Sequence, residues 1–196
     1  LSRRLHRPDG ARGELRRLRP PRRTGPAGYV VALTRQLVDI ESTTGNEGEV
    51  GAWLANHLRS RGYSVLEQPF DGNRINVIAA VGEPDVVFST HFDCVPPFFP
   101  SRIADGKLYG RGSCDAKGIL AAQLAAAERL RAKGETRIGL VFVGGEERGS
   151  DGAKAANRIA SKTRFLINGE PTELRLGAAA LQVEEALRGP LPRDLP

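Results

Sequence analysis

Residues 86–93, VVFSTHFD, are the stretch that decides the fold of this chain. The run that begins at Val86 is short, apolar and rich in β-branched residues, which is typical of a strand covered on both faces in an α/β sheet. It delivers His91 and Asp93 to the carboxyl end of the strand, where open α/β sheets bind ligands. Side chains two positions apart on an extended segment share a face, so Asp93 can orient the imidazole of His91. The pair suggests a metal ligand and its supporting carboxylate, although a lone strand-end histidine is more often a satisfied polar residue.

The length and composition are those of one globular domain with or without a tail. Of the 196 residues, 40% are hydrophobic and 27% are charged. No apolar run approaches the roughly 18 residues that a membrane span needs, and no charged-then-apolar secretory signal opens the sequence. We therefore expect a cytoplasmic protein with no membrane partner. Cys94 and Cys114 are too few for a disulfide framework, and we expect both to be free thiols.

The net charge of +6 is unevenly distributed. Residues 1–28 contain nine arginines and two acidic residues, a net charge of +7, whereas residues 29–196 contain 20 basic and 21 acidic residues, a net charge of −1. The body of the chain therefore has no basic excess for phosphate, and we expect no nucleic-acid partner there. Residues 1–28 are rich in arginine, proline and glycine, which predicts a disordered tail. A basic arm for nucleic acid, a transit peptide and the edge of a fragment all remain open for this tail.

Helical and strand patterns alternate along the rest of the chain. Continuous apolar runs predict three buried strands, and the helix pattern around His57 places that histidine on a solvated surface. The predicted helices are 29–40, about 50–61, about 116–133 and 150–160, and the predicted strands are 63–68, 75–81, 85–91, 136–143 and 164–168. This alternation predicts the α/β class, with a mostly parallel or mixed sheet flanked by helices.

Acidic residues follow the buried strands. The strand that ends at His91 is accompanied by one that runs into Glu146 and Glu147, by one that runs into Glu170, and by a glycine-bracketed loop that presents Asp115. Because parallel neighbours bring their carboxyl ends to one edge, these side chains should converge there. One histidine and several carboxylates suit a divalent ion such as zinc, manganese or cobalt, and without a cation such a crowd of carboxylates would repel itself.

Each acidic residue also has an explanation without a metal. Asp115 stands where a helix N-cap would. Glu146 and Glu147 would favour the positive end of a following helix, and Glu170 before a proline could be a turn residue. These explanations leave open why every one of the acids falls at the same edge.

Four stretches together resemble one known family. The stretches are STHFDCVPP (89–97), LYGRGSCDAKG (108–118), FVGGEERGSDG (142–152) and INGEPT (167–172). In this order they are similar to the zinc-dependent amidohydrolases that include acetylornithine deacetylase, succinyl-diaminopimelate desuccinylase, aminoacylase and glutamate carboxypeptidase. The resemblance covers roughly residues 29–181 and implies a zinc-aminopeptidase-like catalytic domain.

The resemblance implies a role for each of these residues. Two divalent ions are implied, zinc first, with cobalt or manganese as alternatives. His91 and Glu170 would bind one ion, Glu147 would bind the other, and Asp115 would bridge them. Asp93 would orient His91, and Glu146 would be the general base that takes a proton from water and returns it to the leaving amine.

The sequence also departs from the family pattern. Family members continue into a lid and dimerisation domain and then supply a late histidine to the second metal, whereas this sequence has only His6, His57 and His91. We therefore expect an incomplete catalytic domain at 29–183, an irregular tail at 184–196, and no lid. The homodimer that the family implies would lack its dimerisation domain here.

The expected activity is hydrolysis of the amide bond of small N-acyl amino acids, closest in its motifs to acetylornithine deacetylase. The alternative is an inactive truncated homologue or a remnant that binds a single metal ion. The acyl group, the amino acid and the preferred metal are left open by the sequence.

Overall fold

The computed structural model describes residues 26–159, 161–173 and 175. The C-terminal tail predicted at 184–196 lies outside the described residues, as does most of the N-terminal tail. Residues 26–28, which the sequence assigns to that tail, instead begin the first helix. A proline at this position suits the first turn of a helix, because its ring fixes a helical φ and its missing N–H would be unpaired there.

The predicted elements are present, with bounds that shift by up to four residues. In chain order the described elements are α1 (Pro26–Val38), α2 (Gly48–Ser60), β1 (Ser64–Asp71), β2 (Arg74–Ala80), β3 (Val86–His91), β4 (Arg102–Ala104), β5 (Lys107–Tyr109), α3 (Lys117–Arg131), β6 (Ile138–Val143), α4 (Asp151–Ala156) and β7 (Phe165–Asn168). The short strands β4 and β5 were not predicted. No helix in these described ranges is both long and apolar enough to cross a bilayer.

A five-stranded mixed sheet forms the centre of the molecule, in the order β1-β2-β6-β3-β7. Strand β3 lies between β6 and β7 and is parallel to both, whereas β1 and β2 form an antiparallel extension beside β6. His91 is paired with Val143 of β6, and Ser89 is paired with Asn168 of β7. The loops after β6 and β7 therefore begin next to His91, as the parallel arrangement predicts. The short strands β4 and β5 form a separate hairpin.

One face of the sheet carries the hydrophobic core. Helix α2 packs on β1 and β2, α3 packs on β3 and β6, and α1 packs on α3. The core side chains alternate along the strands and recur at helical spacing along the helices, and they include Leu33, Leu37, Leu54, Leu58, Val77, Phe88, Phe92, Leu120, Leu124, Leu140 and Phe142. Burying a large apolar side chain of this kind contributes roughly 1.5–3 kcal/mol, so this layer holds β3 and its neighbours in place.

The strand predicted at 164–168 is present, but the prediction that it is buried is wrong. Phe165, Leu166 and Ile167 are exposed to 58%, 41% and 53%. Strand β7 lies at the edge of the sheet and pairs only with β3 among the described strands. On the face opposite the core, Leu166 and Val141 border an open cavity of about 560 Å³. An apolar run predicts a strand, but it does not tell which of its faces other elements cover.

His57 of α2 is half-buried, where the sequence predicts a solvated position. Its ring stacks on Trp53 with ring centroids 4.9 Å apart, and Arg61 Nε donates a hydrogen bond to His57 Nε2 over 3.1 Å. Burial, together with the neighbouring Arg61 charge, lowers the pKa of His57 to about 4. The neutral imidazole is therefore part of the folded structure near pH 7.

The lowered pKa of His57 predicts that the protein loses stability in acid. Between pH 6.5 and about 4 the unfolded chain binds a proton at His57 that the folded chain does not, so stability falls as the pH falls through this window. We expect His57→Gln to remove about 1–2 kcal/mol of the acid-induced loss, allowing for partial solvent screening. Urea unfolding at pH 7 and pH 4.5 measures it, with the exposed Asn56→Gln as control. Equal acid losses in the wild type and in His57→Gln would contradict the assignment.

Candidate active site

The carboxyl end of β3 is the meeting point of the acids singled out in the sequence. The side chain of His91 is only 1% exposed, and its Nε2 atom lies 3.0 Å from Asp115 Oδ1. The same nitrogen lies 3.7 Å from Glu170 Oε2 and 3.9 Å from Glu146 Oε2. Acids from two neighbouring strand ends and from one loop are thus brought to one imidazole.

Asp93 is completely buried and organises the loop after β6. Its carboxylate accepts hydrogen bonds from the backbone N–H of Glu146 over 2.9 Å, from the N–H of Glu147 over 3.1 Å, and from the hydroxyl of Thr44 over 2.8 Å. The Nδ1 atom of His91 lies 3.1 Å from the backbone oxygen of Asp93 and 3.5 Å from its carboxylate. The carboxylate therefore holds the neighbouring loop at least as directly as it holds the histidine.

The protonation of this pair follows from burial and mutual attraction. Burial raises the pKa of Asp93, but His91 and the hydrogen bonds from Glu146 and Thr44 outweigh it, so the net effect lowers the pKa. Burial lowers the pKa of His91, but the carboxylates around it, Asp115 first, more than compensate and raise the pKa. A charged donor paired with a charged acceptor is the arrangement that makes such burial tolerable.

Arg74 supports the turn that carries the two glutamates. It forms a two-pronged ion pair with the fully buried Glu47, with nitrogen to oxygen distances of 2.9 and 2.8 Å. A Cβ atom at Gly145 would lie 2.5 Å from the guanidinium, and this glycine has a φ of +71°. Only glycine fits both the space and the conformation. The ion pair thus sets the surface on which the turn lies.

Asn76 fixes the same turn from the neighbouring strand. Its side chain is fully buried, its Oδ1 accepts the N–H of Gly144 over 3.3 Å, and its Nδ2 donates to the carbonyl of Gly152 over 2.7 Å. The start of the turn and the start of α4 are therefore joined by one amide. Sequence reasoning missed Thr44, Arg74 and Asn76, although two polar residues inside the otherwise apolar strand β2 were a signal.

Asp115 does not cap the helix that follows it. The N-cap residue of α3 is Ala116, which makes no side-chain capping hydrogen bond, and Asp115 directs its carboxylate toward His91. The side chain of Asp115 is 51% exposed, so a ligand can reach it from solvent. The capping explanation of this residue is therefore wrong.

The glutamates of the turn stand in an unfavourable place for negative charge. Burial raises the pKa of Glu146, an effect that the charge of His91 partly offsets. Burial, and after it the charge of Asp115, raises the pKa of Glu147. Carboxylates that repel one another in this way are a common setting for a cation or for acid-base chemistry.

Three of these residues fit a divalent metal ion. One donor atom each from His91, Asp115 and Glu147 lies within 4.8 Å of the other two. An imidazole nitrogen with carboxylate oxygens is a donor set that zinc, cobalt and manganese accept. The side chains of Glu146 and Glu170, 14% and 22% exposed, border this group through their contacts with His91.

Comparison with known proteins identifies the family of this chain. The model of peptidase family M20/M25/M40 matches residues 87–187, and the chain belongs to this family. The family resemblance stated from the motifs is thereby confirmed, as is the α/β class.

Relatives support the same assignment. A probable carboxypeptidase of Aspergillus clavatus is 38% identical over 174 residues, which cover 78% of this chain and 38% of the relative. A peptidase M20 domain-containing protein of Schizosaccharomyces pombe is 42% identical over 163 residues, covering 78% and 41%. Among solved structures, the aminopeptidase PepT of Bacillus cereus is 26% identical with a TM-score of 0.59, covering 73% of this chain and 43% of that one. The chain thus spans about two fifths of the length of these relatives.

The hydrogen bonds of Asp93 predict that its charge, and not only its shape, stabilises the site. In Asp93→Asn the amide can present an oxygen to one N–H, but its NH₂ group must face a second donor. We expect a loss of about 1–3 kcal/mol in the free energy of unfolding, measured in urea at pH 7. Asp105→Asn, at an exposed carboxylate in the turn between β4 and β5, is the matched control. Equal stability of the two variants would contradict the assigned contacts.

Proposed function

We propose that this chain forms the part of a metal-dependent amidohydrolase that holds the metal ions and the general base. The observation that carries the proposal is the convergence on His91 of carboxylates from Asp115, Glu146 and Glu170. Membership of peptidase family M20/M25/M40 supports amide hydrolysis as the reaction class. Because the chain spans about two fifths of its relatives, the activity of the whole protein is part of the proposal.

We assign the ligands as the motifs imply. His91 and Glu170 would hold one ion, Glu147 would hold a second, and Asp115 would lie between the two. When bound, such ions supply Lewis-acid polarisation of the scissile carbonyl and lower the pKa of water, and zinc is our first choice with cobalt or manganese as alternatives. The 3.0 Å contact between His91 and Asp115 supports placing these two ligands on a common ion.

Glu146 is our candidate for the general base. Its carboxylate is near His91 without belonging to the closest donor group, and its pKa is raised by burial, which strengthens it as a base near neutral pH. Asp93 fixes the backbone N–H of Glu146, so the carboxylate can accept a proton from the attacking water without rearrangement of the turn. The same oxygen can then return the proton to the leaving amine.

The substrate class that we propose is an amide whose amine side carries a free carboxylate. An N-acyl amino acid has this form, and so does the last peptide bond that a carboxypeptidase cleaves. The deacetylase-like motifs favour the first, and the similarity to a probable carboxypeptidase of Aspergillus clavatus favours the second. A panel containing N-acetylornithine, other N-acetyl amino acids and dipeptides blocked at the amino end distinguishes the two.

Replacing Glu146, the candidate base, should abolish hydrolysis without affecting metal binding. We expect Glu146→Gln to lower the hydrolysis rate by at least about 10²-fold, because the amide cannot take a proton, while zinc content per chain stays unchanged. Elemental analysis and the substrate panel measure the two quantities on one sample. The exposed Glu49→Gln is the control. Loss of zinc in Glu146→Gln would mean that the roles of Glu146 and Glu147 are exchanged.

Replacing Asp115, the proposed shared ligand, should lower the affinity for both metal ions. We expect Asp115→Ala to weaken both ions together, by about 10-fold or more each, because one carboxylate serves both sites. Titration with zinc in competition with a chromophoric chelator measures the two affinities. Weakening of one ion with full retention of the other would contradict a bridge.

A second candidate function is binding of a single metal ion without hydrolysis. The specific observation in its favour is that the closest donor group, His91, Asp115 and Glu147, is sufficient for one ion. One zinc per chain without turnover of any panel substrate would favour this function, and two with turnover would favour the hydrolase.

A further inference from the structure

Lys117 is a buried lysine two residues beyond Asp115 for which the proposed reaction has no use. Its side chain is 1% exposed, and its ammonium donates hydrogen bonds to the backbone carbonyls of Leu37 and Ile40, both over 2.8 Å. These carbonyls belong to the end of α1 and the residues after it, where a positive charge is favourable. A buried ammonium is costly unless its donors are paired, so such a position requires a specific arrangement.

The same residue closes the loop that presents Asp115. The backbone N–H of Lys117 donates to the carbonyl of Gly112 over 2.9 Å. Its aliphatic stem lies against Gly112, where a Cβ atom would be 3.1 Å from Lys117 Cδ and 2.5 Å from Cys94 Sγ. With a φ of +83°, Gly112 has the conformation and the lack of side chain that this approach needs. Asp115 therefore lies in a short segment whose two ends, Gly112 and Lys117, are in direct contact.

These contacts connect α1 to the metal ligands by a short path. On one side the loop touches Cys94, which follows Asp93 directly in the chain. On the other side the lysine holds the end of α1, which packs along α3. Asp115 itself is 51% exposed and makes its close contact with His91 over 3.0 Å. The position of a half-exposed carboxylate thus depends on the anchoring of its loop.

We propose that Lys117 is a positioning residue that holds the Asp115 carboxylate beside His91 by tying the loop at 110–117 to the end of α1. The inference rests on the metal site of the proposed function and adds a determinant of metal affinity that touches neither ion nor substrate. A purely structural lysine would stabilise the fold without any particular effect on metal binding. The two roles differ in how metal affinity changes at a given loss of stability.

The test compares Lys117→Met with Leu124→Ala. Methionine keeps much of the stem and removes the ammonium, whereas Leu124 is a fully buried core residue about two turns further along the same helix. Free energies of unfolding in urea rank the stability of the two variants. Zinc affinity is measured by competition with a chromophoric chelator under conditions where both are folded. Lys133→Met, at an exposed lysine beyond the end of α3, controls for loss of charge.

We expect Lys117→Met to bind zinc about 10- to 100-fold more weakly than the wild type, the range typical of residues that orient a ligand. Leu124→Ala and Lys133→Met should remain within about twofold, a range that would leave ligand geometry intact. Equal zinc affinities for Lys117→Met and Leu124→Ala would overturn the inference and leave the metal site standing. A wild type that binds no zinc would overturn both.

A milder variant protects the test against loss of the fold. Lys117→Gln keeps a neutral donor on a shorter stem, and its zinc affinity is compared with that of Leu124→Ala by the same criterion. Weaker binding by Lys117→Gln at equal or smaller loss of stability supports the positioning role, and unchanged binding overturns it.

Discussion

The buried carboxylate of Asp93 is the interaction on which the candidate site depends. A fully buried anion is tolerated only where donors surround it, and here the donors are two backbone N–H groups, one hydroxyl and the adjacent imidazole. The two N–H groups belong to Glu146 and Glu147, so satisfying this one charge also fixes the turn that carries the candidate base and a candidate ligand. The hydrogen bonds that fix the turn therefore also position the candidate base and the candidate ligand.

The sequence predicted that Glu146 and Glu170 would lie near His91 because their positions follow from the order and direction of the strands. Parallel neighbours of β3 must end at the same edge, and the register of His91 with Val143 and of Ser89 with Asn168 does the rest. The exposure of β7 could not be predicted in this way, because an apolar run does not reveal which faces are covered. The capping role of Asp115 failed for a similar reason, since its contact with His91 joins residues 24 positions apart.

Around the acids lies a set of buried polar residues to which the family resemblance assigns no role. The Arg74–Glu47 pair, Asn76 and Lys117 each have buried polar atoms whose partners are backbone groups or charges of distant segments. The sequence marks Arg74 and Asn76 only as polar residues in an otherwise apolar strand, and their partners become visible only in three dimensions. Since breaking a buried polar pair leaves a partner unsatisfied, such residues hold loops in one conformation more firmly than apolar contacts of similar area would.

The electrostatic consequence of this arrangement is that several carboxylates lie close together in a partly buried site and repel one another. Asp93 is held ionised by its donors, while burial raises the pKa values of Glu146 and Glu147. Because Asp93 and Asn76 bind backbone N–H groups of the turn, the turn keeps both glutamates beside the other acids. A divalent cation reverses the sign of the local field and favours the ionised form of every carboxylate that it contacts. Binding of a cation would regain the free energy that the fold loses by crowding these acids, and Glu147 is both one of the crowded residues and one of the ligands that we propose.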